Sequence, residues 1–324
     1  MLRYWRYLIL GTQALALVVS CGCGCQVAPV RLTVQQALDQ GRRLAENKLP
    51  EPYQSLKPAY DLKREPAPGD WLEGHPEPPQ SFSAYVRSRP RQPDSGRSIL
   101  YLQPLLLPSG RTPAPTISSS LLEETRAFCA AMTGLTVRPR PALVIEELPP
   151  RARVEKSDGS RQVLSPWLLS EVLAEELPAD GLGIIGVTTA DLSPGAGYDF
   201  VYGQSSLSHG LAVVSLKRQG EPPFFTTEAR RRHLRAVGHE LGHLLGLRHC
   251  TTYECLMNGA ANRQEADNRP FFMCPLCLRK LGWNLDLAPD RHLRELADFF
   301  RQRHLEEAAR RAERLIRLLP PPEE

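Results

Sequence analysis

The 324 residues carry almost no excess charge, with 40 lysines and arginines against 36 acidic residues and a formal net of +4. A nucleic-acid surface calls for a concentrated basic excess. None is read here, and runs such as Arg230-Arg231-Arg232 read as a solvated helix face. A bilayer-spanning helix needs about 20 apolar residues. The amino-terminal run from Tyr7 to Val19 falls short of that and is interrupted by Gly11, Thr12 and Gln13. The cysteines, too, are not distributed. Cys21, Cys23 and Cys25 form one group, Cys129 stands alone, and Cys250, Cys255, Cys274 and Cys277 form another. A disulfide scaffold spreads its cysteines along the chain, so this clustering argues against one.

What is present is ample apolar content, 42%, enough to bury a core, and a length that by itself suggests about two domains. The chemistry is concentrated between His239 and Cys277. The stretch opens His239-Glu240-Leu241-Gly242-His243, followed by Gly246, His249 and Cys250. Helix positions four apart share a face, so His239 and His243 can converge on one cation. Glu240 then lies beside the ion as a base for a metal-bound water. Gly246 can end the helix in a left-handed turn, after which the chain can bring His249 in as a third ligand. Three neutral imidazoles leave the fourth tetrahedral position of zinc open, as in catalytic sites.

HExxHxxGxxH followed at once by cysteine, then x4-Cys-x-Met and a later Cys-x2-Cys, resembles the archaemetzincin family of metzincin metallopeptidases. The resemblance runs from about Arg97 to Trp283. It implies a zinc-dependent peptidase acting on peptides or proteins. It also implies that Met257 is the methionine turn, an apolar, polarizable floor beneath the histidines. Some metzincins place a tyrosine shortly after this methionine; here Asn258-Gly259 follows. Some relatives lack the third histidine, whereas this chain keeps His249. The family lays extended substrate along an antiparallel edge strand, which by resemblance would be Phe200, Val201, Tyr202, Gly203 and Gln204. Backbone pairing there would supply affinity; an ordinary edge strand is the alternative.

Cys250-x4-Cys255 and Cys274-x2-Cys277 make a set of four thiolate ligands for a second, closed and structural zinc. Because Cys250 abuts His249, that ion would also fix the third catalytic ligand. Two local disulfides or a redox CxxC are the alternatives. A nucleic-acid-binding ribbon ranks low, since only Arg263, Arg269, Arg279 and Lys280 flank the cysteines. A rival function is a catalytically silent, two-zinc peptide-binding or assembly module, against which an intact Glu240 argues.

Residues 1–25 read as a signal-like or membrane-anchor leader, with a basic head at Arg3 and Arg6. Val18-Val19-Ser20-Cys21 loosely resembles a bacterial lipoprotein processing site with Cys21 lipidated. Palmitoylation in a eukaryotic host and an inconsequential leader are the alternatives. Export with membrane anchoring is therefore the expectation, and a cytoplasmic location, which suits zinc-bound thiolates, the alternative. Residues 26–96 read as a helix over 31–48 capped by Thr33 and Gln36, then a proline-rich strap with apolar islands at Trp71 and Phe82.

Residues 97–284 read as the peptidase domain. Strands are expected at 98–107, 143–146, 182–189, 199–202 and 211–217. Helices are expected from Ser120 to about Gly134, from Ser165 to about Leu177, and from Thr226 or Thr227 into the motif. Alternating strands and helices argue for an α/β fold with a mixed, mostly parallel sheet packed against the active-site helix. The other histidines (His75, His209, His233, His292 and His304) read as surface or hydrogen-bonded, and only His209, in the loop after the proposed edge strand, calls for a check of its distance from the cleft. Residues 285–324 read as one amphipathic helix, Asp290 to Leu319.

Overall fold

A computed structural model describes residues 32–108, 116–220 and 226–321. The leader and its three cysteines lie outside the described residues. At the centre is a six-stranded sheet in the order Val137–Pro139, Ile99–Leu106, Gly181–Thr188, Leu211–Ser215, Gly203–Ser206, with Leu143–Val144 pairing beside Ile99–Leu106. Every pairing is parallel except the last, which is antiparallel.

The strands are covered on both faces. Leu100, Leu102, Ala212 and Val214 enter one core with Phe128, Leu234, Val237 and Leu241. Their alternates Ile99, Tyr101, Leu105, Leu211 and Val213 enter another with Leu168, Leu169 and Leu173. A sheet sandwiched between helices needs apolar residues at successive positions, which is why its inner strands read as unbroken apolar runs. Helices Ser119–Thr133 and Thr227–Leu244 cover the first face, and the segment 165–176 covers the second.

The active-site helix begins where its cap predicts, with the Thr226 hydroxyl accepting from the Ala229 amide at 3.2 Å. Thr33 caps Val34–Glu46 with both halves of a capping box. Ala45, Leu49, Leu56 and Tyr85 of the amino-terminal segment belong to the same core as the active-site helix.

Several expectations are corrected. Helix Ser119–Thr133 is capped by Ser118, whose hydroxyl accepts from the Leu121 amide, and not by Ser120, so it begins two residues earlier than expected. The strand expected at 143–146 shortens to Leu143–Val144, and Val137–Pro139 supplies the edge. A small second sheet of Arg153–Glu155, Arg161–Leu164 and Leu192–Ser193 went unread because its strands are too short for alternation to show.

The last helix is two, Pro289–Gln302 and Glu306–Ile316, broken at His304 with φ +56°. The hairpin buries Leu305, Ala312 and Leu315 against the first half and closes with Arg301 to Glu313 at 2.8 Å. Phe299 and Phe300 of the first half pack on Phe128, with ring centroids 5.4 and 6.2 Å away. Both halves carry an apolar stripe, so periodicity alone could not reveal the bend.

Candidate active site

His239 and His243 lie one turn apart and present their Nε2 atoms 3.0 Å from each other. The helix ends after Leu244, and Gly246 takes φ +85°, a conformation that favours glycine. The chain reverses there and returns His249, whose ring centroid is 5.3 Å from that of His239 and 4.8 Å from that of His243. One ligand atom from each ring falls within 4.8 Å of the others.

Each Nδ1 is already engaged. His239 donates to the Leu256 carbonyl at 2.9 Å, His243 to the Leu247 carbonyl at 2.6 Å, and His249 to Glu77 Oε1 at 2.6 Å. With its proton on Nδ1, each ring turns an Nε2 lone pair toward the shared point. Ligands of tetrahedral zinc, with Zn–N near 2.0–2.1 Å, stand ~3.3 Å apart, so the donor set fits that ion. Burial pushes His243 down to about 3 and His239 well below the ordinary range, so both rings are neutral.

Glu240 is 6% exposed and lies against the strand Gly203–Ser206. Ser205 donates to its Oε2 at 2.7 Å. Burial pushes the carboxyl up to about 7, against the opposing Ser205 hydrogen bond and the nearby Arg269 guanidinium. Met257 is fully buried beneath the helix, and its sulfur fills the space where Gly242 lacks a Cβ.

The four cysteines also converge. Their sulfurs form one buried group, Cys250 and Cys274 lie 3.7 Å apart, and none is in a disulfide. A tetrahedron with Zn–S near 2.3 Å has edges of ~3.8 Å, so this set also fits zinc. The Cys274 amide donates to Cys255 Sγ at 3.1 Å.

The edge strand is displaced from its expected place. Phe200 to Gln204 was the expectation, whereas the strand is Gly203–Ser206. Only Gly203 and Gln204 belong to it; Val201 instead bridges Leu192 of the small sheet, and Phe200 lies under the Arg218 guanidinium at 3.8 Å. The hairpin register, with Ser206 opposite Leu211 and Gly203 opposite Val214, fixes these ends. Gly203 passes so near the active-site helix that a Cβ would stand 2.6 Å from Cγ of Glu240.

His209 is exposed and bonded to Ser206. It is His75 that lies by the centre, stacked on Trp71 at 4.1 Å, while Trp71 meets His249 edge-on at 5.0 Å.

Sequence reasoning missed Glu77, Ser205 and Asn258. Asn258 staples the cysteine loop, donating to the Cys250 and Tyr253 carbonyls at 2.6 and 2.9 Å and accepting from the Cys255 amide at 2.8 Å. Its signal was its place beside Met257. Glu77 and Ser205 carried none, being single polar residues, one in the proline-rich strap and one just past the expected edge strand. Arg269 and Lys280, read as basic flanks, are 8% and 3% exposed.

A mixed α/β body that gathers three imidazoles beside a buried carboxylate belongs with the metal-dependent hydrolases in its chemistry. Residues 164–282 match the model of peptidase family M54. The chain is 30% identical over 293 residues to archaemetzincin-2 of Rattus norvegicus, covering 79% of each protein. It is 30% identical over 248 residues to human archaemetzincin-1, covering 65% of this chain and 48% of that one. Among solved structures it is similar to the archaemetzincin of Methanopyrus kandleri, with TM-score 0.47 and 27% identity over 60% of this chain and 98% of that one. The chain belongs to the archaemetzincin family and is a zinc metallopeptidase.

Proposed function

We propose that this chain hydrolyses peptide bonds at a zinc ion held by His239, His243 and His249, with Glu240 as the general base, and that a second, structural zinc is held by Cys250, Cys255, Cys274 and Cys277. The observation that carries the reading is the orientation of the three rings: every Nδ1 is spent on an acceptor and the Nε2 atoms face one point. When bound, the catalytic ion supplies Lewis acidity, polarising the peptide carbonyl and acidifying water beside it. Glu240 takes the proton of the attacking water and passes it to the leaving amine. Ser205 holds the carboxylate in place for both transfers.

The open side of Gly203–Ser206, an edge strand among the described residues, would receive extended substrate by backbone pairing, with Gly203 and Gln204 at its start and Phe200, Val201 and Tyr202 leading into it. Met257 serves as the apolar floor. Residues 97–284 form the peptidase domain in this reading, with 26–96 as its strap and 285–324 as a packed appendage. The leader is proposed to export and anchor the protein, which amino-terminal sequencing of the mature chain tests.

The central test is a metal count combined with a comparison of wild type and Glu240→Ala on a peptide library. Two zinc ions per chain in both, with turnover lost by at least 100-fold in the variant, is the expected result. Equal turnover by the two forms removes Glu240 from the mechanism.

A further inference from the structure

We propose that Glu77, a strap residue, is a positioning residue of the histidine centre, fixing the ring of His249 for the metal. This inference rests on the three-histidine reading above and extends it to a part of the chain outside the residues matched by the family model, 164–282.

The three rings are not held alike. His239 and His243 donate to backbone carbonyls of Leu256 and Leu247, groups that any sequence supplies once the turn has formed. His249 lies beyond that turn, and its Nδ1 instead meets the carboxylate of a residue 172 positions earlier. The same oxygen, Glu77 Oε1, accepts the Trp71 indole N–H at 2.6 Å. Two donors on one oxygen fix where the carboxylate sits, and so fix the ring that it grips.

Trp71 is itself immobilised from four sides. Its amide donates to Glu265 Oε2 at 2.9 Å, and its indole lies where Gly259 leaves no room for a Cβ. One face stacks on His75, which stacks in turn on Tyr198 at 5.4 Å, and His249 meets it edge-on. Gly259 and Glu265 follow Met257 in the loop between the two cysteine pairs. The strap is thereby keyed into that loop on one side and gripping the third histidine on the other.

An imidazole offering Nε2 to a cation must keep its proton on Nδ1. A carboxylate acceptor favours that tautomer, raises the basicity of Nε2 and restrains ring rotation. A charged acceptor does this more strongly than a carbonyl. An ion pair of only structural value would instead contribute to the stability of the fold and leave metal affinity unchanged.

The test uses the full chain, stripped of metal and titrated with zinc against a chelator, as wild type, Glu77→Gln, Glu77→Ala and Trp71→Phe. Wild type is expected to take two zinc ions. Glu77→Ala should weaken one of them 10- to 100-fold and leave the other unchanged. Glu77→Gln, which keeps an acceptor but loses the charge, and Trp71→Phe, which loses only the indole donor, should fall between. With cobalt(II) in place of zinc, the visible absorption of the histidine site should change in Glu77→Ala while the thiolate-to-metal bands do not.

If the Glu77 variants bind both ions as wild type does and lose only thermal stability, the carboxylate is a structural contact and the proposal fails. Should Glu77→Ala not fold, a shift of less than twofold in Glu77→Gln overturns it equally. A wild type that takes one ion, with no loss on His243→Ala, would instead overturn the three-histidine reading on which the proposal rests.

Discussion

Buried histidines away from the metal centre set how the fold responds to acid. His292 is 2% exposed and donates Nδ1 to the Met132 carbonyl at 2.9 Å; burial pushes it down to about 4. His233, bonded through Nε2 to Thr125 at 2.8 Å, is likewise pushed down to about 4 by burial. Both pKa values lie below the unfolded value near 6.5, so the unfolded chain binds these protons first. Stability is then fully present above about pH 6.5 and drains as pH falls toward 4, at ~1.4 kcal/mol per pH unit for each ring. Replacing His292 by Gln, which keeps a donor for Met132, is expected to lower that slope by about one such increment. Denaturant melts of both forms at pH 7 and pH 5 check it, and identical slopes would mean His292 does not titrate on unfolding. These two histidines were readable only as surface or hydrogen-bonded. Their type was visible in the sequence, but their depth depends on which helices close over them.

At the scale of elements, the helix and the turn after it do most of the work of assembling the site. Residues one turn apart share a face by the geometry of the α-helix, so His239, Glu240 and His243 were legible from spacing alone, as was a helix start at Thr226 or Thr227. The turn is less tolerant. Gly246 is left-handed, and a Cβ there would also stand 2.7 Å from Cβ of Pro90. Tyr85 donates to the Leu245 carbonyl at 2.7 Å and Gln80 to that of Gly246 at 3.1 Å, so the strap clamps the bend. Gly246→Ala is expected to cost about 1–2 kcal/mol from the backbone conformation alone, with more from Pro90. Because the bend delivers His249, zinc at the histidine site should also be lost faster to chelator. A variant with unchanged melting and unchanged zinc release would show that the bend tolerates a side chain. The edge strand and the terminal helix were misplaced for the same physical reason. A strand end is set by its partner's register, and a helix break by what its second half can bury, and neither partner is local.

For the molecule as a whole, the two proposed metal centres share a loop. The Cys250 amide donates to the Met257 carbonyl at 2.8 Å, and Asn258 ties both ends of the segment between them. Cys277→Ser should therefore release one zinc and destabilise the fold by several kcal/mol, on the order of but below the ~10 kcal/mol of a structural zinc in a small finger peptide, since a large core remains. It should also loosen the histidine site, because Cys250 adjoins His249. A metal count with thermal melts tests this; loss of one ion with no change in melting would uncouple the cysteine cluster from the fold.

The sequence by itself determined which residues could make up the histidine and cysteine clusters, because spacing along a helix or within a short cysteine pair is a local matter; the return of His249 and the meeting of the two cysteine pairs needed the fold. Only the tertiary structure decided what surrounds them. It placed Glu77 and Trp71 of the strap against His249, Ser205 against Glu240, and the edge strand beside the active-site helix. Those contacts join segments far apart in the chain, and they follow from how the sheet, strap and helices share one core.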